Sequence, residues 1–443
     1  MKKLIIIVCL ILLLAGGAWA TDYTVPTSTT TVDGSTFCGG SACTSSDTII
    51  IAGGARGDLY FQNFDGAGSY IIIKNDPASR VVLTGNNSTT GALQINGCKW
   101  VDLRGDNLPG TTYGIKVTAT VNGGNGIRIK GQSDHIKVSY CEVTATNAEA
   151  NGGSGIFLQD GSLSNAWTWD TIEIHHNYVH DTNYAGMYLG QNAPWSNDDP
   201  YIANLSVHDN QIIDIGCYGI AYKGITDSTA NYIYNNTIKN TGLANRPDLD
   251  DGFRHGMSVH DFWGASSVEV YDNWIEKTVG PGIEVQNIYS SITPAEQIHD
   301  NTIVGCGQST TPKYNDGISF LTGSKNVDVY DNIIIQPGSY GFYTVSDDTV
   351  TPLITLERNK VGDAGAGALL GGDHATTNFQ EGTGADANIY HADVADFGFC
   401  AWSDDGDYSN DDFSTTGCIT NPPFAGSGGG LFTIGGVPAI GTN

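Results

Sequence analysis

Positive charge is what this chain has least of: 20 Lys and Arg stand against 47 Asp and Glu, a formal net charge of −27. A field of that sign repels nucleic acid and anionic membranes, so neither is an expected partner. Long apolar runs are missing after residue 20, which excludes a helical membrane span there. The nine cysteines show no metal-ligand spacing. No Gly-x-Ser-x-Gly elbow is present, which removes the usual motif for serine nucleophiles. The acidic stretch with Asp404, Asp405, Asp407, Asp411 and Asp412 lacks the EF-hand order and reads as a solvated loop.

The start of the chain has the form of an export signal. Lys2 and Lys3 precede an apolar run from Leu4 to Leu14, and Ala18-Trp19-Ala20 supplies a small-x-small cleavage site. A secreted, soluble, monomeric protein is expected, with the periplasm or cell surface as alternatives. Export permits disulfides, so Cys38 with Cys43 and Cys400 with Cys418 are candidate bridges. Cys217 and Cys306 fall in rungs of the repeat described next, too far apart to pair, and are expected as buried thiols.

What is abundant is glycine, 58 residues, among short alternating segments. The pattern apolar–x–apolar–x–x–Asn–x–apolar recurs around Asn177, Asn210, Asn236, Asn273, Asn301, Asn332 and Asn359. The period is about 30 residues, the signature of stacked structural repeats. A second mark is a glycine followed by an alternating strand, at Gly126, Gly155, Gly186, Gly219, Gly256, Gly282, Gly317 and Gly341. Each rung then reads as strand, Asn turn, short strand, loop, glycine, strand. The expected fold is all-β: a single-stranded right-handed parallel β-helix solenoid with capping segments. Its parts are a signal peptide (1–20), an N-terminal cap with first rungs (21–90), the repeats (91–365), and last rungs with a C-terminal cap (366–443). The Asn is expected to adopt a left-handed turn and to bond its amide to the Asn of adjacent rungs. His175, His208 and His299 share one slot with Tyr234, Tyr271 and Tyr330, which predicts an outward ring ladder belonging to the scaffold.

The segments Ile172–Asn177, Leu205–Asn210, Val268–Asn273 and Val327–Asn332 resemble the repeats of the pectate-lyase-like right-handed β-helix superfamily. The resemblance covers about residues 45–365. It implies that the strand after each glycine lines a polysaccharide cleft. The outward positions of that strand form two columns. The first is Arg128, Phe157, Tyr188, Ala221, Ser258, Glu284, Ser319, Tyr343; the second includes Gly190, Lys223, His260 and Gln286. Ionisable residues concentrate in the middle. Tyr188, Trp195 and Gln286 are candidate sugar contacts, beside Asp198 and Asp199.

Two chemistries suit that cluster. In β-elimination on a uronate-containing glycan, a base takes the proton beside the carboxylate while a cation neutralises it. The superfamily's lyases use Lys or Arg in such roles. The resemblance therefore implies Lys223 as base and Arg254 as acid or neutraliser, with His255, His260 and Glu284 completing the site. A Ca2+ ion held by some of Asp248, Asp250, Asp251 and Glu284 would offset the acidic surface. Glycoside hydrolysis by two carboxyls is the second chemistry. The superfamily's polygalacturonase pattern fails here: Asp250-Asp251 and His255-Gly256 fall in one loop, and Arg128-Ile129-Lys130 lies upstream. A non-catalytic glycan-binding surface or matrix protein is the third reading.

Overall fold

The computed structural model describes most of residues 21–391; 1–20 and 392–443 lie outside it, as do 88–90, 122, 147–152, 160–167, 191–200, 227–230, 244–253, 262–267, 288–294, 308–314, 322–323, 325, 345–353, 363–367, 373–378 and 382–388. The candidate bridge Cys400–Cys418 and the acidic stretch 404–412 fall among the latter.

No helix occurs among the described residues. The strands form three long sheets of 13, 12 and 14 strands. Each rung gives one strand to each sheet in turn, as Ile172–His175, Tyr178–Thr182 and Met187–Gly190 do. The next rung repeats this with Ser206–His208, Gln211–Ile215 and Ile220–Thr226. Every pairing between rungs is parallel, so each residue stacks on its equivalent. The inward columns Ile127/Ile129, Met187/Leu189, Met257/Val259, Ile283/Val285 and Ile318/Phe320 are almost wholly buried. Each such side chain contributes about 1.5–3 kcal/mol of burial free energy. At the N-terminal end Cys38 and Cys43 form the small bridged loop, while Cys217 and Cys306 are buried thiols in no disulfide among the described residues.

The Asn ladder sits at the corner between the first and second sheets. Asn273 shows its chemistry. Its Nδ2 donates to Ile233 O and Tyr271 O, both at 2.9 Å, and to Asn301 Oδ1 at 2.9 Å. Its Oδ1 accepts from Asn236 N and Nδ2, both at 3.0 Å. The same exchange runs from Asn177 to Asn359. The ladder begins where Cys141 holds the slot and donates its N–H to Asn177 Oδ1 at 3.0 Å.

One expectation is corrected. The left-handed backbone belongs to the residue before each Asn: His176, Asp209, Asn235, Asp272, Asp300, Asp331 and Arg358, with φ of 51° to 55°. That residue turns the corner and points out. The Asn keeps an ordinary φ, so its amide can turn inward and replace the sheet bonds the corner interrupts. Asn273→Ala is therefore expected to cost about 1–3 kcal/mol or more, because buried amide partners lose their bonds. The drop in urea midpoint at unchanged slope measures it.

On the outer face of the first sheet the ring ladder forms as expected. His175, His208, Tyr234, Tyr271, His299 and Tyr330 stack in sequence with centroids 5.1, 4.7, 4.9, 5.2 and 4.6 Å apart. His208 places Nδ1 2.7 Å from Asp209 and Nε2 3.3 Å from Glu173. Burial disfavours its charge, but the two carboxylates win and hold it at about 9. Glu173 is held at about 2, chiefly by that His208 bond. The sign follows. Stability from His208 is full below the ordinary histidine range and is lost as pH rises through about 9. Stability from Glu173 is lost as pH falls from the ordinary carboxylate range towards about 2. Thermal midpoints should decline on both sides, and His208→Gln should flatten the alkaline decline.

Candidate active site

Three adjacent strands of the third sheet, Ile220–Thr226, Met257–Asp261 and Ile283–Asn287, set the site. Their registers align Ala221, Ser258, Glu284 and Ser319 in one outward column. Lys223, His260 and Gln286 align in a second. A third column comes from the residue before each rung's glycine. There the carbonyls of Tyr218, His255, Pro281 and Asp316 accept the N–H of the glycine one rung earlier, at 2.9–3.2 Å. The three columns make a lattice with Glu284 near its centre.

Polar side chains converge on Glu284. His260 Nε2 lies 2.8 Å from Oε1, Ser258 Oγ donates to it at 3.2 Å, and His255 Nδ1 lies 3.3 Å away. Ser258 Oγ also lies 3.0 Å from His260 Nε2. This is not a nucleophilic triad. In a triad the serine and the acid use opposite imidazole nitrogens; here both meet Nε2. Lys223 Nζ reaches Tyr218 OH at 3.5 Å and stands 5.0 Å from that ring's centre. Tyr218 in turn meets His255 edge-on at 5.5 Å. Tyr188, Tyr218 and Ala221 pack as an apolar cluster on the outside of the solenoid, beside Lys223.

Burial sets the electrostatics. Glu284 and His255 are 3% and 0% exposed, whereas Lys223 and His260 are 9% and 7% exposed. A ligand therefore meets the second column first. Burial lowers the Lys223 amine, with Glu284 pulling the other way. Burial, aided by the Lys223 charge, holds His260 well below the usual imidazole range, so it is neutral. Burial outweighs the opposing pull of His255, Lys223 and Ser258 and holds Glu284 above the usual carboxylate range. One rung further, Asp316 is pushed up to about 7 by burial, against bonds from Ser319 and the Tyr340 backbone. Ser319 Oγ donates to its Oδ2 at 2.8 Å.

Four of the residues singled out from sequence, Lys223, His255, His260 and Glu284, thus lie in one cluster. Arg254 is half-buried at the corner just before His255, where its carbonyl accepts Gly280 N–H at 2.8 Å. Gln286 is half-buried beside His260, and Tyr188 is 1% exposed. Trp195, Asp248, Asp250 and Asp251 lie outside the described residues. Glu284, the other carboxylate named for Ca2+, belongs to this cluster, bonded to Ser258 and His260. Tyr218 and Asp316 were missed; the signal was the residue before each glycine, a column in its own right. The ligand-like groups Glu173–His175–His208 and His176–His208–Asp209 lie along the first sheet and its corner, where His208 already pairs with Glu173 and Asp209.

A family model described as a right-handed β-helix region matches residues 224–361. No curated protein matches the chain. Among solved structures, the catalytic unit of a thermostable GH87 α-1,3-glucanase from Streptomyces thermodiastaticus strain HF3-3 is similar, at 15% identity and a TM-score of 0.50. That likeness covers 85% of this chain and 64% of the glucanase unit, so this chain spans less than two thirds of it. Pectate lyase Pel9A shares 12% identity over 85% of this chain and 81% of its own, with a TM-score of 0.42. An alginate lyase from Paenibacillus sp. str. FPU-7 shares 15% identity over 82% and 99%, with a TM-score of 0.36. The likeness to the glucanase unit, at 15% identity, speaks of fold alone. The chain is a right-handed parallel β-helix protein.

Proposed function

We propose that the chain is an exported enzyme that cleaves a uronate-containing polysaccharide by β-elimination at the Lys223–His260 face. One observation carries the reading. Lys223 and His260 are register partners at the outer edge of a buried ionisable cluster, so an amine and a neutral imidazole stand side by side. Elimination needs that pair of properties. A neutral base takes the proton from C5, and a cation steadies the charge that builds on the adjacent carboxylate. The C5–H electrons become the C4=C5 double bond. The C4–O bond breaks, and its oxygen leaves with the electron pair. The proton taken from C5 returns to that oxygen, so no co-reactant is consumed. A contribution from Ca2+ on Asp248, Asp250 and Asp251 belongs to the same proposal.

The test is mass spectrometry of products from mannuronate, galacturonate and glucuronate polymers, with Ca2+ and with chelator. Products ending in an unsaturated uronate support elimination, and their loss in chelator supports the cation.

Hydrolysis is the second reading, favoured by one observation: two buried carboxyls, Glu284 and Asp316, occupy adjacent rungs, roughly 5 Å apart along the axis. Products gaining water, from uronate or neutral glycans, with activity lost in Asp316→Asn, would select it. No cleavage of any glycan, with retained binding, would select the matrix-protein reading.

A further inference from the structure

We infer that Glu173, His175 and His208, on the outer face of the first sheet, form a binding site for a divalent transition ion of the Zn2+ class. The site lies on a different sheet from Lys223 and does not rest on the elimination reading.

Three atoms define it. Glu173 and His175 both point outward from Ile172–His175, and the register sets His208 of the next rung on His175. Glu173 Oε1 lies 3.3 Å from His208 Nε2 and 3.8 Å from His175 Nε2. The three ligand atoms all lie within 4.8 Å of one another. Ligands held about 2.0–2.1 Å from a tetrahedral ion stand about 3.3 Å apart. One edge of that tetrahedron is already set, and a tilt of the His175 ring closes the others. Two imidazoles with one carboxylate suit Zn2+, Cu2+ or Ni2+, whereas Ca2+ takes oxygen ligands.

The neighbours hold these side chains in place. The other nitrogen of each imidazole is occupied: His208 Nδ1 meets Asp209 Oδ2 at 2.7 Å, and His175 Nδ1 meets His176 Nδ1 at 2.8 Å. Lys137 Nζ holds the other Glu173 oxygen at 2.6 Å, and Asn235 Nδ2 donates to the other Asp209 oxygen. A carboxylate on the far nitrogen of a ligating histidine fixes ring orientation and strengthens the ligand. His208 is also stacked between His175 and Tyr234, so little side-chain freedom remains to be lost. Glu173, His175 and His208 side chains are 27%, 17% and 12% exposed, which lets an ion enter and keep a water as fourth ligand. The two carboxylates outweigh the Lys137 charge. Where no ion is bound, the proton on His208 Nε2 pairs it with Glu173; the ion takes that proton's place.

The same sheet carries an internal control. His299 meets Asp300 at 2.8 Å and Glu269 at 2.9 Å, the same pair of contacts as His208. It stacks between Tyr271 and Tyr330, so the second imidazole is missing there. His299 is therefore an ion pair alone, and His175 is what sets the His208 site apart.

The test is titration of the full, chelator-stripped chain with Co2+, then Zn2+. One equivalent of Co2+ is expected to develop the ligand-field absorption of a tetrahedral site, and Zn2+ to bleach it. His175→Tyr places in the slot the residue that other rungs carry, so the ring stack and the metal-free thermal midpoint should persist while the signal is lost. Asp209→Asn is expected to weaken binding about 10–100-fold. His299→Gln should leave binding unchanged. A signal that survives His175→Tyr, or that falls equally in His299→Gln, overturns the site. So does the lack of any Co2+ spectrum together with no rise of the thermal midpoint in Zn2+. These outcomes are independent of whether any uronate polymer is cleaved.

Discussion

His260→Gln is expected to lower kcat/KM on the susceptible polymer by about 10²–10⁴-fold, the range for loss of a general base. The substitution keeps a side-chain N–H for Glu284 Oε1, so folding should be unaffected. The effect should fall on kcat, because the lost interaction is made with a proton that moves only in the transition state. Lys223→Ala should instead act strongly on KM as well, since a cation meets the carboxylate in the ground state too. Michaelis profiles of the two variants on one polymer separate these outcomes. Equal loss of kcat with unchanged KM in both would place the whole effect on proton transfer.

Glu284→Ala should destabilise the fold by about 3–5 kcal/mol, the cost of removing one member of a buried charged cluster. Two contacts would be lost, those to His260 Nε2 and Ser258 Oγ, and Lys223 would lose an opposing charge nearby. Ser319→Ala, one rung along the same column, should cost far less, since it removes one hydroxyl from Asp316. Denaturant midpoints of both variants check the ranking. A loss at Glu284 no larger than at Ser319 would mean that the carboxyl is neutral and weakly held.

Much of this was legible in the chain because a parallel solenoid converts sequence period into spatial column. The glycine before each strand fixes its phase, so Ser258 with Glu284, and Lys223 with His260, follow from counting. The ring ladder follows from the same logic. Corners were harder. Alternation assigns faces only within a strand, and the direction of a corner side chain depends on its φ. Hence turn chemistry points to Asn273 for the left-handed residue when Asp272 holds it, and alternation does not mark Tyr218, His255 and Asp316 as one column. Burial was also out of reach. Outward usually means solvated, yet Glu284 and Tyr188 point outward and are 3% and 1% exposed. That burial, which depends on packing outside the repeat, is what turns ordinary polar side chains into groups with shifted protonation.

The most direct measurement is the ultraviolet absorbance of the unsaturated uronate, followed in time for the wild type and Lys223→Ala on the same panel of uronate polymers. A rise with the wild type on at least one polymer, strongly reduced in the variant, is the predicted result. No rise on any polymer, or a rise that survives loss of Lys223 undiminished, would contradict the claim that this face of the solenoid is an elimination site.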